Sequence, residues 1–158
     1  MRRIGQLSIA LLILLSISNA GFAMSLFGGK EVFLFSDVSG YLTYKEKPAA
    51  HATIRRVVEI DGDSYEDTTE ANSEGFFSFD ALTKKDRALL PKEFVSHQKL
   101  IAEYDSKDIL IWETVKRSEE ENAELEGKPL NFKCELTDET KFVHLMLHSI
   151  GTNCTWDS

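Results

Sequence analysis

Residues 52–79 have the sequence ATIRRVVEIDGDSYEDTTEANSEGFFSF, in which two turn signals separate three β-rich segments. Residues 52–60 alternate apolar and polar side chains, as a half-buried strand does. Asp61-Gly62-Asp63 is a hairpin signal, because glycine adopts positive φ at no steric cost. Residues 65–70 are predicted to form the return strand. A turn over 71–75 then leads to a short strand at 76–79.

The rest of the chain continues this pattern of short strands. Further strands are predicted at 31–37, 38–44, 98–104, 108–115, 130–136 and 141–150, the last two pairing as a C-terminal hairpin around Thr137-Asp138-Glu139. One short helix is predicted from Thr83 to Leu90, ended by Pro91. Eight or nine strands spaced about ten residues apart are typical of an antiparallel sandwich or a partly open barrel. We therefore expect a mainly β protein, a single antiparallel β-sandwich domain over residues 31–158.

The N-terminus has the parts of a secretory signal peptide. A positive pair, Arg2 and Arg3, precedes an almost wholly apolar run at 4–17. Small residues then offer cleavage after Ala20 or Ala23, and the second site is preferred. The apolar run is about a dozen residues long, short of the roughly 20 that span a bilayer, which disfavours the alternative of an uncleaved anchor. No cysteine follows the run to carry a lipid, so we expect a periplasmic or secreted protein with no stable membrane span.

Removal of residues 1–23 would leave 24–30 as a flexible lead-in to a strongly acidic domain. The full chain has 18 basic and 26 acidic residues and a formal net charge of −8. Because Arg2 and Arg3 leave with the signal, 16 basic residues would remain against 26 acidic ones, a net charge of −10. Such a surface repels phosphate backbones and anionic lipids, so nucleic acid is excluded as an expected partner. Acidity serves solubility, and it also suits a cationic protein partner.

The chain has two cysteines, Cys134 and Cys154. An even count in an exported chain predicts one disulfide between them. Two cysteines without a CxxC partner make a poor zinc site. Asn153-Cys154-Thr155 matches a glycosylation sequon, but its cysteine is expected in the disulfide, so we discount it.

A set of turn and core residues in residues 40–79 forms one pattern. The pattern consists of a glycine-led strand, a proline turn, an Asx turn and an alternating aromatic pair: Gly40, Pro48, Asn72, Gly75, Phe77 and Phe79. It resembles the transthyretin-like modules called carboxypeptidase regulatory-like domains, although His51 stands where that family usually has glycine and Asn72 where it has aspartate. The resemblance implies a transthyretin-like (prealbumin-like) sandwich, with Gly75 permitting a tight turn and both phenylalanines in the core. It also implies a non-catalytic binding, folding or adhesion role.

Three soft-ligand side chains alternate near the C-terminus: His144, Met146 and His148. In a strand, positions two apart share a face, so all three would project together. Histidine and methionine suit copper, and His51 or His97 could add a fourth ligand. The alternative is an exposed face of mixed polarity, or Met146 buried between sheets.

Acidic residues concentrate in two places. A long loop or short exposed helix over 116–127 carries a candidate partner surface of Glu119, Glu120, Glu121, Glu124 and Glu126. Such a surface could dock a basic protein and speed its association. The other group, Asp61, Asp63, Glu66 and Asp67, lacks the further ligands of a calcium loop and indicates a solvated turn instead.

No catalytic motif is present, and neither Ser96-His97 nor His148-Ser149 can form a dyad on a strand, because neighbours point to opposite faces. We expect a non-catalytic interaction domain without a cofactor, whose partner is a protein or an envelope component. A sharper hypothesis is a periplasmic immunity protein that neutralises a toxic effector. The alternative is a periplasmic copper-binding protein, and an enzyme comes third.

Overall fold

Several of the strands are connected by two-residue turns, whose residues adopt positive φ. The computed structural model describes residues 29–87 and 92–157. Asp61 (φ 56°) and Gly62 (φ 86°) form one such turn, and Asp105 (φ 50°) and Ser106 (φ 59°) form another. Positive φ at both central residues is the mark of the type I′ hairpin turn, whose twist matches that of the flanking strands. Both hairpins predicted at these places are confirmed.

The described residues form thirteen strands. In chain order they are β1 (Lys30–Phe35), β2 (Val38–Tyr44), β3 (Lys47–Pro48), β4 (Thr53–Ile60), β5 (Asp63–Glu70), β6 (Phe76–Phe79), β7 (Leu82–Asp86), β8 (Ser96–Tyr104), β9 (Lys107–Lys116), β10 (Leu130–Glu135), β11 (Lys141–His144), β12 (Ser149–Thr152) and β13 (Cys154–Thr155). The predicted mainly β class is confirmed.

The strands pair into three sheets. The largest has six strands in the order β11-β12-β9-β8-β4-β5, all antiparallel. A five-stranded sheet has the order β13-β10-β2-β3, with β6 also paired to β2. The smallest is the antiparallel pair β1-β7. These sheets form the expected β-sandwich.

The C-terminal hairpin is present, but with different strands from those predicted. β11 pairs with β12 across a turn at 145–148. β10 instead runs parallel to β2, with Leu130 opposite Val38, and its other edge takes β13. Leu130, Phe132 and Cys134 are buried on one face of β10, so core packing in the sheet of β2 outweighs pairing with the next segment along the chain.

The helix predicted from Thr83 to Leu90 is wrong where the chain is described. Leu82–Asp86 form β7, which pairs antiparallel with β1. The available edge of β1 supplies a ladder of hydrogen bonds that overrides weak local helix propensity; residues 88–91 lie outside the described residues. The described helical structure is a 3-10 turn, Ala123–Leu125, within the acidic loop. Within 29–87 and 92–157, no helix is both long and apolar enough to cross a bilayer.

The core lies between the two large sheets. Trp112 of β9 stacks on Phe132 of β10 with ring centroids 4.9 Å apart. Arg56 of β4 also points inward and is almost fully buried. Its guanidinium lies over the Phe79 ring at 4.7 Å and forms a bidentate pair with Asp67, at 2.9 and 2.6 Å. Planar stacking and paired hydrogen bonds together make a buried arginine tolerable.

The turn and core residues predicted within residues 40–79 lie where their chemistry requires. Asn72 Oδ1 accepts hydrogen bonds from the N–H groups of Glu74 and Phe76, at 2.9 and 3.0 Å. Gly75 has φ +78°, and a Cβ there would lie 2.3 Å from the Leu42 carbonyl oxygen. Phe77 and Phe79 are buried, and Pro48 pairs with Thr43 in the short edge strand β3. The transthyretin-like relationship itself stays a prediction.

Gly40 lies in a regular part of β2 and forms no bulge. Its register is regular on both sides, opposite Phe132 in β10 and Phe77 in β6. A Cβ at Gly40 would lie 2.7 Å from the Phe132 carbonyl oxygen and 3.0 Å from the Phe77 ring. The glycine is needed because the backbone of the parallel neighbour comes so close.

Candidate functional site

The acidic loop at 117–127 lies beside the N-terminal strand and not free in solvent. Phe33 of β1 donates its N–H to the Glu119 carbonyl oxygen at 2.9 Å. Lys30 Nζ lies 2.8 Å from Glu119 and 3.0 Å from Glu120. Hydrogen bonds to these two carboxylates, Glu119 first, raise the pKa of Lys30 to about 12. Two of the five predicted partner-surface acids therefore share one lysine within the chain.

The prediction that Glu124 lies on the surface is wrong. Its side chain is fully buried, as is that of Lys116, and the Lys116 Nζ lies 3.2 Å from a Glu124 carboxylate oxygen. Burial is the largest influence on Lys116 and lowers the pKa of that amine, although Glu124 acts in the opposite direction. A charged pair this deep needs further hydrogen bonds to be tolerated.

Those hydrogen bonds come from a buried polar network that sequence reasoning missed. Ser36, at the kink between β1 and β2, donates its N–H and Oγ–H to the Glu124 carboxylate at 2.9 and 2.8 Å. Gln98 of β8 donates to the same carboxylate at 2.9 Å. Asn122 donates its N–H to Ser36 Oγ at 2.7 Å. The signal in the sequence was Gln98 and Lys116, which are polar residues on the buried faces of β8 and β9.

The premise that His144, Met146 and His148 share a strand face is wrong. β11 ends at His144, and the chain turns through 145–148 before β12 begins. His148 Nε2 donates to the Glu124 carbonyl oxygen at 3.0 Å, while His144 Nδ1 lies 2.8 Å from Ser149 Oγ. The three side chains therefore have separate surroundings, because four turn residues replace the regular alternation.

Other predicted ligands do not join them. His51 Nδ1 lies 2.7 Å from a Glu70 carboxylate oxygen, and His97 is exposed on β8. In the part of the chain that the structure describes, no three His, Cys, Asp or Glu side chains are placed to hold a metal ion. Copper binding stays an untested hypothesis without the strand face on which it was based.

The acidic hairpin residues have basic neighbours. Asp61 binds Lys92 at 2.5 Å and Asp63 binds Lys84 at 3.3 Å. Asp67 is the partner of Arg56. Glu66 approaches Arg55 at 3.9 Å. These carboxylates contact different cations and do not converge on one point. This arrangement agrees with the predicted solvated turn.

The adjacent serine–histidine pairs are separated as expected. Ser96 is buried and donates to the Leu34 carbonyl oxygen at 2.8 Å, while His97 faces outward. The contact between His144 and Ser149 is a cross-strand pair that sequence reasoning missed, because it depends on the register of β11 and β12. Both side chains are exposed, as in an ordinary surface contact.

The disulfide predicted between Cys134 and Cys154 is confirmed. The two residues face each other across β10 and β13, with Cα atoms 4.0 Å apart and an S–S bond of 2.01 Å. Both are buried. The bond fixes the last strand to the five-stranded sheet.

A groove lies between the acidic loop and the β11–β12 turn. We call it the tip groove; it is lined by residues 117, 118, 120, 121, 123, 126, 127 and 146–148, and its volume is about 460 Å³. Met146 and Leu147 are 88% and 68% exposed there. Glu120, Glu121 and Glu126 are its acidic residues, and Arg117, which is bound to Glu93 at 3.0 Å, is its one lysine or arginine.

Hydrogen bonds hold the turn that carries Met146 and Leu147 in place. Met146 donates its N–H to Glu126 Oε1 at 2.9 Å, and Leu145 donates to the His148 carbonyl oxygen at 2.9 Å. His148 is fixed to the loop through Glu124, as described above. The buried network thus positions both walls of the tip groove.

Together these features define a small β-sandwich domain with an apolar groove rimmed by carboxylates. The chain belongs to the family described as a domain of unknown function, DUF6795, whose sequence model matches residues 38–139. The match extends from the first residue of β2 to just before β11, so it includes the acidic loop but not Met146 and Leu147. No curated protein and no solved structure matched the chain.

Proposed function

We propose that this chain is an exported, non-catalytic protein-binding domain whose tip groove holds a basic, partly apolar segment of another protein. The observation that carries the proposal is the exposure of Met146 and Leu147 on a turn that hydrogen bonds hold in place. Large exposed apolar side chains grouped in a groove mark interaction surfaces. Because the turn is already ordered, little conformational entropy is lost on binding.

The charge of the rim supports a basic partner. Glu121 is exposed and has no hydrogen bond or ion pair within the described residues. Glu126 is exposed and uses one carboxylate oxygen for the Met146 N–H. Glu120 shares Lys30 with Glu119. A lysine or arginine of the partner would complement the acidic rim, and an apolar side chain beside it would contact Met146 and Leu147.

Export is supported by two separate features of the chain. The first is the positive pair and apolar run of residues 1–23, which lie outside the described residues. The second is the disulfide between Cys134 and Cys154, because such bonds persist in oxidising compartments. A neutraliser of a toxic effector delivered to the same compartment is the specific form of this function that we favour.

Site-specific photocrosslinking tests the proposal. A photoreactive residue replaces Leu147 in one variant and Lys107 in a control, in the cells that produce the chain. Lys107 begins β9 and lies at the far end of that strand from the tip groove. We expect a discrete adduct from position 147 alone, and mass spectrometry should identify a protein with a basic segment at the linkage.

The purified partner must then depend on the groove. Met146→Asp/Leu147→Asp should weaken its binding at least tenfold, and Glu121→Lys should weaken it as well. Equal labelling from position 107, or unchanged affinity of the Met146→Asp/Leu147→Asp variant, would reject the groove. For the immunity form, the partner produced alone in that compartment should arrest growth, and co-production of the chain should relieve the arrest.

A further inference from the structure

The six-stranded sheet has a free edge at β5. β5 pairs with β4 along all eight of its residues, from Asp63 to Glu70. No other strand in the described ranges 29–87 and 92–157 pairs with it. An edge strand presents a row of unpaired backbone N–H and C=O groups to any extended chain that approaches it.

The register shows which backbone groups are available. The type I′ turn makes Ile60 and Asp63 a hydrogen-bonded pair, and such pairs alternate with non-hydrogen-bonded ones along an antiparallel ladder. The N–H and C=O groups of Ser64, Glu66 and Thr68 therefore point away from β4. Among the described residues, no backbone or side-chain hydrogen bond involves these groups.

This edge lacks most of the features that usually protect one, although it does carry charged side chains. β3 and β13 have two residues each, and the edge strand β11 has four and begins with Lys141. β5 has eight residues and regular pairing, with no proline, glycine, lysine or bulge. Its length and regularity suit the addition of a strand.

The charge of the edge selects the kind of strand. The sequence of β5, DSYEDTTE, has four acidic residues and no basic one. On its outer face Glu66 shares Arg55, at 3.9 Å, with Glu103 at 3.4 Å and Asp108 at 3.5 Å, so one guanidinium serves three carboxylates. Two copies of such an edge repel each other, because like charges opposite one another are destabilising. A basic strand would be attracted.

We infer that β5 accepts an extended, lysine- or arginine-rich segment of a partner protein as a seventh strand of the sheet. The backbone groups of Ser64, Glu66 and Thr68 hydrogen-bond to the added strand, and the carboxylates of Glu66 and Glu70 bind its cations. This surface is separate from the tip groove, which adjoins β11 at the opposite edge of the same sheet. The inference therefore does not rest on the proposed function.

The probe is a fluorescein-labelled peptide of alternating lysine and valine, seven residues long, compared with the same peptide N-methylated at alternate residues. N-methylation keeps the charge and removes the donors. We expect fluorescence polarisation to show binding of the first peptide and at least tenfold weaker binding of the second. Bound peptide should slow hydrogen exchange at the Ser64, Glu66 and Thr68 amides.

Variants locate the binding. Thr68→Pro removes one outward donor without breaking the pairing to β4, and should weaken binding at least tenfold. Glu66→Lys/Glu70→Lys, with folding checked by the urea midpoint, should do the same if Thr68→Pro is unstable. Glu139→Lys is a matched charge change on the exposed loop before β11, outside both surfaces, and should have no effect. Equal binding of the methylated peptide, or loss of binding in Glu121→Lys and not in the β5 variants, would overturn the inference.

Discussion

At the scale of single residues, the charged pair Lys116 and Glu124 fixes the position of a whole loop. The carboxylate is bound by an amine from β9, by Ser36 at the β1–β2 kink and by Gln98 from β8. Three separate parts of the chain thus meet at one side chain. A residue that looked like part of a charged surface is in fact the anchor of that surface.

Removal of one member of this pair should be costly. Lys116→Met leaves the Glu124 carboxylate buried without its cation, which we expect to lower the free energy of unfolding by about 3 kcal/mol. Lys116→Met/Glu124→Gln should recover part of the loss, because the amide is neutral and can still accept hydrogen bonds. Urea unfolding of the wild type, Lys116→Met, Glu124→Gln and the double variant measures the difference. A double variant as unstable as the sum of the two single variants would show that the residues are not coupled.

Glu135 should make the stability depend on pH in acid. Partial desolvation raises the pKa of this carboxyl, but hydrogen bonds from Thr137, from the Glu46 N–H, from Thr43 and from the Lys45 N–H together outweigh it and lower the pKa to about 2. A lowered pKa in the folded state means that the stabilisation is complete above the ordinary glutamate pKa of 4.5 and is lost as the pH falls towards 2.

Glu135→Gln tests that dependence. The variant should be less stable than the wild type at pH 7, by about 1 to 2 kcal/mol for the loss of charge-assisted hydrogen bonds. The two proteins should converge between pH 4.5 and pH 2. Urea midpoints measured across this interval give the comparison, with Glu74→Gln as an exposed control. A constant gap at all pH values would contradict the assignment.

At the scale of the elements, β2 requires glycine at position 40, because there is no room there for a side chain. A Cβ at Gly40 would meet backbone of β10, which cannot move without disturbing its parallel pairing. We expect Gly40→Ala to destabilise the fold by about 1 to 3 kcal/mol, as overpacking does. Gly62→Asn is the control, because that turn position is open and asparagine tolerates positive φ. Thermal denaturation of both variants tests this, and equal melting temperatures would contradict it.

The elements that the sequence predicts are those whose information is local. The hairpin at Asp61-Gly62 and the turn at Asn72 follow from turn chemistry, and both are present. The sequence predicts a helix in place of β7. The reason is that its partner β1 lies about 50 residues earlier in the chain, so the local sequence does not show the pairing. The parallel pairing of β10 with β2 was missed for the same reason.

The candidate site was partly predictable for similar physical reasons. The density of glutamates indicated the acidic loop, but burial of Glu124 depends on Lys116 and Ser36 meeting it in space. The histidine and methionine pattern drew attention to 144–148, yet a turn there breaks the alternation. The exposed apolar side chains of the tip groove are those of Met146 and Leu147. They are exposed because they lie on the turn, and their hydrophobicity alone would predict burial.

At the scale of the whole molecule, the disulfide should contribute to stability. It closes a loop with a sequence separation of 20 residues, for which the chain-entropy model gives about 3 kcal/mol. Cys134→Ser/Cys154→Ser should lower the urea midpoint accordingly. The native protein should show no free thiol, even when denatured, and two after reduction. Two thiols in the unreduced protein would contradict the bond.

The predicted export has a direct measurement. Cleavage after Ala23 would make Met24 the first residue of the mature protein. Intact-mass spectrometry of the protein recovered from its compartment should show the loss of residues 1–23, and Ala23→Leu should slow that loss, because signal peptidase requires a small side chain at the −1 position. An uncleaved protein in the membrane fraction would support the anchor alternative instead.

The parallel neighbour of β2 also has a consequence for the time course of folding. A chain leaves the ribosome or a translocation channel N-terminus first, so β2 is available about 90 residues before β10. Pairings between such distant segments slow folding, because a long loop must close before the contacts form. During that interval the β2 edge is open to aggregation. We therefore expect refolding to be limited by the arrival of Leu130–Glu135 at β2.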